Sequence, residues 1–257
     1  MRSLTIEHDL FFISEKFLGE FVDCLHHALV MPMKDYLANP SYHNVLSASN
    51  HNTWRIKADY VVVSKEKWYE ALPTDFREKL YEETKRNGSE FIYGNQIITK
   101  NYWRNLSDLE KQQVIGDFDD ETIALDLSRI DSYEYLKKYH NVFPSNHGPN
   151  CFAATMYAVS KDDFFINHWI FADTLLNFLS TNNYRRTDER KSEKDDVICL
   201  FEGGKLVHSF YCIDNEYGFN KNGQTMHEPW TIIKAEDVLK EFESAEMVIF
   251  KRAQADR

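Results

Sequence analysis

The sequence predicts an α+β protein whose two halves follow different periods. Apolar residues three and four apart dominate the first half, whereas the last third alternates apolar and polar residues in short runs split by tight polar turns. A cluster of turn formers at 141–150, with Pro144, Gly148 and Pro149 among Asn, Ser and His, separates the two. The expected organisation is a mainly helical region 1–144, followed by a domain 145–257 in which a helix packs on an antiparallel sheet.

Leu18, Phe21, Val22, Leu25, Ala28 and Leu29 carry the i, i+3, i+4, i+7 pattern of an amphipathic helix, with Glu20, Asp23 and His27 on its polar side. Residues 41–53, rich in Ser, Asn and His, read as a loop. Tyr60-Val-Val-Val63 is β-branched and reads as a short strand. Thr74 is placed to cap a helix reaching about Asn87, with Gly88 to end it. Ser107 and Glu110 have capping-box spacing at the start of another helix, and Ser132–His140 is a further short helical segment.

Beyond the turn cluster, Cys151–Ser160 is a helix of small residues with Phe152, Thr155, Met156 and Val159 on one face. Asp162–Ser180 reads as a longer helix and the charged stretch Arg185–Asp196 as a solvated loop. Three strands follow, at 196–201, 206–213 and 217–220, with Gly203-Gly204 and Asp214-Asn215 as turns. A helix near Ala235–Phe242 and a strand near Met247–Lys251 close the chain.

Apolar residues make up 43% of the 257 positions, enough for a real core and too many for general disorder. The formal net charge of -11 repels phosphate backbones, so nucleic acid is not an expected partner. Glu7 and Asp9 interrupt what would be the core of a signal peptide, and no apolar run nears the roughly 20 residues that span a bilayer. The expected location is the cytoplasm, with no membrane partner. Cys24, Cys151, Cys199 and Cys212 show no CxxC pairing, so they read as free thiols without a zinc framework. His26-His27 with Asp23 is the one metal-like grouping, but adjacent His side chains leave a helix in different directions, so no metal is expected. Asp117, Asp119, Asp120 and Glu121 read as a solvated acidic turn, and Trp230 as a core anchor. No P-loop, GxGxxG or GxSxG occurs, and no cofactor is expected.

Chemistry is concentrated at one cysteine. A thiol is nucleophilic only as thiolate, and its ordinary pKa of roughly 8.5 leaves little of that form at neutral pH. A helix N-terminus favours the anion, and a neighbouring imidazole can take the proton. Cys151 stands where a Pro-containing loop delivers it to the first turn of a helix, and the same N–H groups can hold an oxyanion. His208 lies in mid-strand, alternating with Phe210 and Cys212. Taken singly, Cys151 reads more readily as a small buried hydrophobe and His208 as a structural strand residue.

The spacing of these residues resembles a diverged NlpC/P60-type domain of the papain-like superfamily, over residues 145–252. That family opens a helix with Cys, enters a strand through Gly-Asp-Leu/Val, begins the next strand with His and places a polar residue on the strand after. Asp196-Val197-Ile198 with Leu200-Phe201 is similar to the strand start. His208 lies 12 positions after Asp196, and Asn220 lies 12 further on. The resemblance implies a papain-like fold, with Cys151 as nucleophile, His208 as base and acid, and Asn220 orienting the imidazole. Three positions depart from the pattern. Asp-Cys-Ser-Gly is here Asn150-Cys151-Phe152-Ala153, the Gly before the strand Asp is Asp195, and the Gly two places after His is Phe210.

The expected activity is hydrolysis of an amide, peptide or isopeptide-like, through a thioester on Cys151. Two alternatives stand beside it: transglutaminase-like transfer of the acyl group to an amine, and a non-catalytic binding or structural protein on the same fold. Region 1–144 is expected to cover part of the cleft.

Overall fold

The structure, a computed structural model, describes residues 8–38, 58–87, 92–93, 96–115, 132–146 and 148–253. It is mixed α and β, its strand pairs are all antiparallel among the described residues, and it divides into two compact units, Met1–Gly116 and Asp117–Arg257. The loop expected at 41–53, Gly88 and the acidic turn at 117–121 lie outside the described residues.

In the first unit β1 (His8–Ile13), β2 (Leu29–Pro32) and β3 (Tyr60–Lys65) form a sheet in the order β1-β3-β2. Helix α1 (Glu15–Phe21) follows β1, α2 (Met33–Ala38) follows β2, and α3 (Thr74–Arg86) follows β3. The unbroken Val run of β3 is buried on both faces. Val62 packs with Phe11, Phe76 and Leu80, while Val61 and Val63 pack with Phe12 and Tyr36. A two-strand ribbon, β4 (Ile92–Tyr93) and β5 (Gln96–Ile97), precedes α4 (Lys100–Asn105) and α5 (Asp108–Ile115). Ser107 and Glu110 close the expected capping box: Ser107 N–H donates to the Glu110 carboxylate at 2.7 Å, and Glu110 N–H to Ser107 Oγ at 3.3 Å.

This unit therefore departs from the mainly helical region expected. The apolar pattern at 18–29 is α-helical only to Phe21 and ends in a 3-10 turn at Val22–Cys24, because Leu29–Pro32 is taken up by pairing with the Val run of β3. Tertiary pairing overrides a helical period here. Thr74 is the first helical residue rather than the cap, which is Pro73.

The boundary also moves from 144/145 to 116/117. Helix α6 (Glu134–Lys137) belongs to the second unit because Tyr133 and Leu136 are buried in its core with Cys151, Tyr157 and Trp230. The turn-rich stretch at 141–150 lies inside a unit, bonded by Asn141 N–H to Trp230 O at 2.8 Å.

The second unit continues with α7 (Cys151–Ser160), α8 (Asp163–Ile166), α9 (Ala172–Thr181), β6 (Tyr184–Thr187), β7 (Val197–Glu202), β8 (Lys205–Cys212), β9 (Tyr217–Lys221), β10 (Trp230–Lys234), α10 (Ala235–Glu241) and β11 (Glu246–Arg252). The strands form one sheet in the order β10-β9-β8-β7-β11-β6. Helix α7 lies on the face that carries Val197, Cys199, Tyr211 and Phe219, while α10 covers Ile198, Leu200, Phe210 and Ile249 on the other. Strand β6 stands where a solvated loop was expected, because an edge strand tolerates the exposed Arg185 and Arg186 that read as loop. The helix expected at 162–180 is two pieces. Asn150 takes hold of both backbone groups of Ile170, Nδ2 donating to its carbonyl at 2.7 Å and Oδ1 accepting from its N–H at 3.4 Å, so these are withdrawn from any helical ladder.

Two of the positions that differ from the NlpC/P60 pattern, Asp195 and Phe210, can be followed in the structure. Asp195 sits at φ +68°, a left-handed conformation in which Gly is unstrained and other residues cost roughly 1 kcal/mol. Its carboxylate accepts from the buried phenols of Tyr133 and Tyr211, the latter at 2.6 Å, which offsets that strain. Phe210, fully buried, lies over Gly218 of β9, where an added Cβ would fall 2.6 Å from its ring. Gly218→Ala should lower stability by about 2 kcal/mol in denaturant unfolding, and Phe210→Leu introduced with it should recover part of the loss. Additive losses in the double variant would show that the two positions are not exchanging volume.

Candidate active site

Cys151 is the first residue of α7, and Asn150 is its cap, with Oδ1 accepting from Ala153 N–H at 3.0 Å. The N–H groups of Cys151 and Phe152 remain at the helix start, on the side of the thiol. An Asp in place of Asn150 would cap equally well but could not donate to Ile170, which accounts for the Asn. One turn on, Thr155 Oγ1 donates to Cys151 O at 3.0 Å, so the hydroxyl proton at its 2.8 Å contact with Ser209 comes from Ser209. This pair pins α7 onto β8.

His208 approaches β8 from the other face. Pairing of β7 with β8 shifts between Leu200 and Phe201: Phe201 pairs with Leu206, Leu200 with His208, and Val207 is the extra residue. This bulge breaks the period of two, so that Leu206 joins the core with α7 while His208 lies against α10. The imidazole stacks on Phe242, just past α10, at 4.5 Å between ring centres.

The same region opens between β8 and β9. Their pairing covers only Tyr211↔Phe219 and Cys212↔Gly218, so the two strands are no longer paired at His208 and Asn220. On the α10 side, His208 Nε2 and Asn220 Oδ1 lie 2.8 Å apart across this opening. On the α7 side, the N–H of Ser209, the residue after His208, acts on the Cys151 thiol. Cys151 and His208 thus lie on opposite faces of β8, and among the described residues no hydrogen bond joins them.

The protons of the His208 network follow from its far end. A Glu241 carboxylate only accepts, so Asn222 must offer it Nδ2, at 2.8 and 3.1 Å. Asn222 Oδ1 then faces Asn220 Nδ2 at 2.8 Å. Asn220 must in turn present Oδ1 to the imidazole, which donates from Nε2 and keeps its lone pair on Nδ1. Asn222 is the second member of this chain, between Asn220 and Glu241. Glu241 carried no sequence signal, since it lies 33 positions from His208 on a helix of ordinary composition.

Burial dominates the electrostatics. It pushes the Cys151 thiol up to about 11, against the Ser209 N–H, the Lys221 charge and the helix-start N–H groups. It pushes His208 down to about 4, against the bond to Asn220. Both groups are neutral at pH 7. All four cysteines are free thiols, with Cys199 and Cys212 in buried strands as expected. Trp230 is buried in the core, 5.3 Å from the Tyr139 ring centre.

Comparisons with protein-family models, curated proteins and solved structures found no match. Among the described residues no helix is long and apolar enough to cross a membrane. A cavity of about 400 Å³ belongs to the first unit, between α1 and α3, lined by Phe17, Phe21, Glu20, Glu78 and Lys79.

His208 makes stability depend on pH with a definite sign. Its folded pKa, about 4, lies below its ordinary 6.5, so the unfolded chain takes up the proton first. Stability is intact above pH 6.5 and declines as pH falls through that value toward 4, by about 3 kcal/mol in all. Unfolding curves across this window should therefore be steeper in pH for the parent than for His208→Gln. Parallel curves would show that His208 is not held neutral.

Proposed function

We propose that the second unit is a diverged papain-like domain of NlpC/P60 type that performs acyl transfer on an amide carbonyl through Cys151. The observation that carries this reading is the chain Glu241–Asn222–Asn220–His208. It leaves the imidazole lone pair on Nδ1, the form a general base needs, which supports Asn220 as the orienting residue that the resemblance implies. In the reaction His208 Nδ1 takes the thiol proton across the β8–β9 opening, and Cys151 Sγ attacks the carbonyl carbon. The N–H groups of Cys151 and Phe152 hold the oxyanion, and the imidazolium returns its proton to the leaving amine. Water then cleaves the thioester; an amine in its place gives the transglutaminase-like outcome, and ammonia release with and without added amines separates the two.

The surroundings of α7 support an apolar substrate flank. Phe164, Trp169 and Phe171 are exposed, Trp169 and Phe171 lie 4.5 Å apart between ring centres, and Asn150 ties the intervening Ile170 to the helix start. Exposed aromatics so close to a helix cap form a wall on which an apolar side chain can rest.

A second reading rests on a different observation. The thiol is buried at 7% exposure with its pKa pushed up to about 11, which suits an inert core cysteine in a non-catalytic protein on the same fold. Alkylation of the native protein with iodoacetamide and peptide mapping decides between them. Acyl transfer predicts that Cys151 labels ahead of Cys24, Cys199 and Cys212, and that His208→Ala slows it by roughly a hundredfold while the fold persists. Labelling of Cys24 alone, with Cys151 reacting only on unfolding, would falsify the catalytic reading.

A further inference from the structure

The proposed reaction leaves one buried charge without a role. Lys221 is fully buried at the end of β9, next to Asn220. Neighbouring strand residues point to opposite faces, so Lys221 shares the α7 side with Phe219, which packs in the same core as Cys151. The loops around the two residues are joined, Gly148 N–H before α7 donating to Gln224 O after β9 at 2.9 Å. The ammonium donates to Thr225 O at 3.1 Å, its one hydrogen bond among the described residues, which leaves two of its three protons unused.

A buried ammonium is costly, and hydrophobic residues of similar size usually replace such charges without loss. Its retention beside a thiol calls for an anion that forms there. The charges acting on Lys221 are few: Glu228 from the β9–β10 connection and Cys151 from α7. Glu228 is engaged with Thr225, accepting from its N–H and its hydroxyl at 2.9 Å each. The thiolate is met by the N–H groups of Ser209, Phe152 and Cys151, and Lys221 is the one full positive charge that acts on it. On the α10 side, His208 can remove the proton but is too weak a base to hold it against a buried thiol, so a fixed cation must stabilise the sulfur left behind.

We propose that Lys221 is a positioning residue for the Cys151 thiolate, an ammonium placed on the α7 face to stabilise the anion that forms when the thiol proton passes to His208 on the other. Sulfur keeps the electron pair, the proton goes to Nδ1, and Lys221 changes neither bonding nor charge. The inference rests on the acyl-transfer reading of Cys151. It predicts a division of labour across the sheet, with the base and its orienting amides on one face and the counter-charge on the other.

The sign of its pH dependence follows from burial, which pushes the lysine down from 10.5 to about 8 against the pull of Glu228 and Cys151. The ammonium is present at neutral pH and is lost as pH rises through about 8. The test is the pH profile of Cys151 alkylation in the parent, Lys221→Met and Glu228→Gln, with near-ultraviolet circular dichroism to check the fold. Lys221→Met should slow alkylation at neutral pH by roughly tenfold and move the apparent thiol pKa up by about one unit. Glu228→Gln keeps the acceptor for Thr225 but removes the anion that holds Lys221 charged. Its rate should match the parent well below the lysine pKa and fall toward that of Lys221→Met near it, which supplies the test should Lys221→Met not fold. Profiles that coincide in all three proteins overturn the role of Lys221 and leave the catalytic reading of Cys151 standing. An unreactive Cys151 in the parent overturns both.

Discussion

The second unit depends on the grip of Asn150. Its side-chain oxygen caps α7 at Ala153, and its amide nitrogen holds Ile170. One residue thereby decides where the central helix starts, where the following helical run breaks and which aromatic side chains flank the helix start. Because α7 is buried on nearly all sides, its start cannot drift by a residue without dragging Thr155 off Ser209 and Cys151 off the opening between β8 and β9. An N-cap is worth only about 1 kcal/mol in an isolated helix. Here its weight lies in register, since every group at the site is placed relative to the first turn of α7.

Much of this unit was legible in the sequence because the local signals agree with the tertiary result. The span of α7 and the β7–β8 hairpin with Gly203-Gly204 at positive φ match the sequence reading, since propensity, period and turn chemistry all point one way. Where the reading failed, a partner distant in sequence had taken over. Strand β6 is polar because it is an edge, β2 abandons a helical period to pair with β3, and the break before α9 is made by a side chain 20 positions away. Spacing points to Cys151, His208 and Asn220 as a proposed site. It does not reveal that Cys151 and His208 lie on opposite faces of β8, because α7 packs on the face of Ser209 and Tyr211 whereas His208 keeps the period of Phe210 on the other.

Two positions that differ from the NlpC/P60 pattern carry local structure of their own. Glycine is absent before Asp196, yet Asp195 adopts the positive φ a glycine would take and anchors two phenols in return. Glycine is absent two places after His208, yet Gly218 across the strand pair makes room for Phe210. In both places a positive φ or a close approach is accommodated by the residues around it.

Charge is handled by the same separation of faces. On the α10 side a neutral imidazole is oriented through two amides by a carboxylate that stays at the exposed end of the chain, so no ion needs to be buried against His208. On the α7 side a cation is buried beside a neutral thiol. Such an arrangement is poorly suited to a resting ion pair, because desolvation opposes both the thiolate and the imidazolium. In the proposed reaction it suits a site that stays neutral until the thiol proton leaves. Lys221 on the α7 face can then stabilise the sulfur left behind, and the N–H groups at the start of α7 the oxyanion that follows.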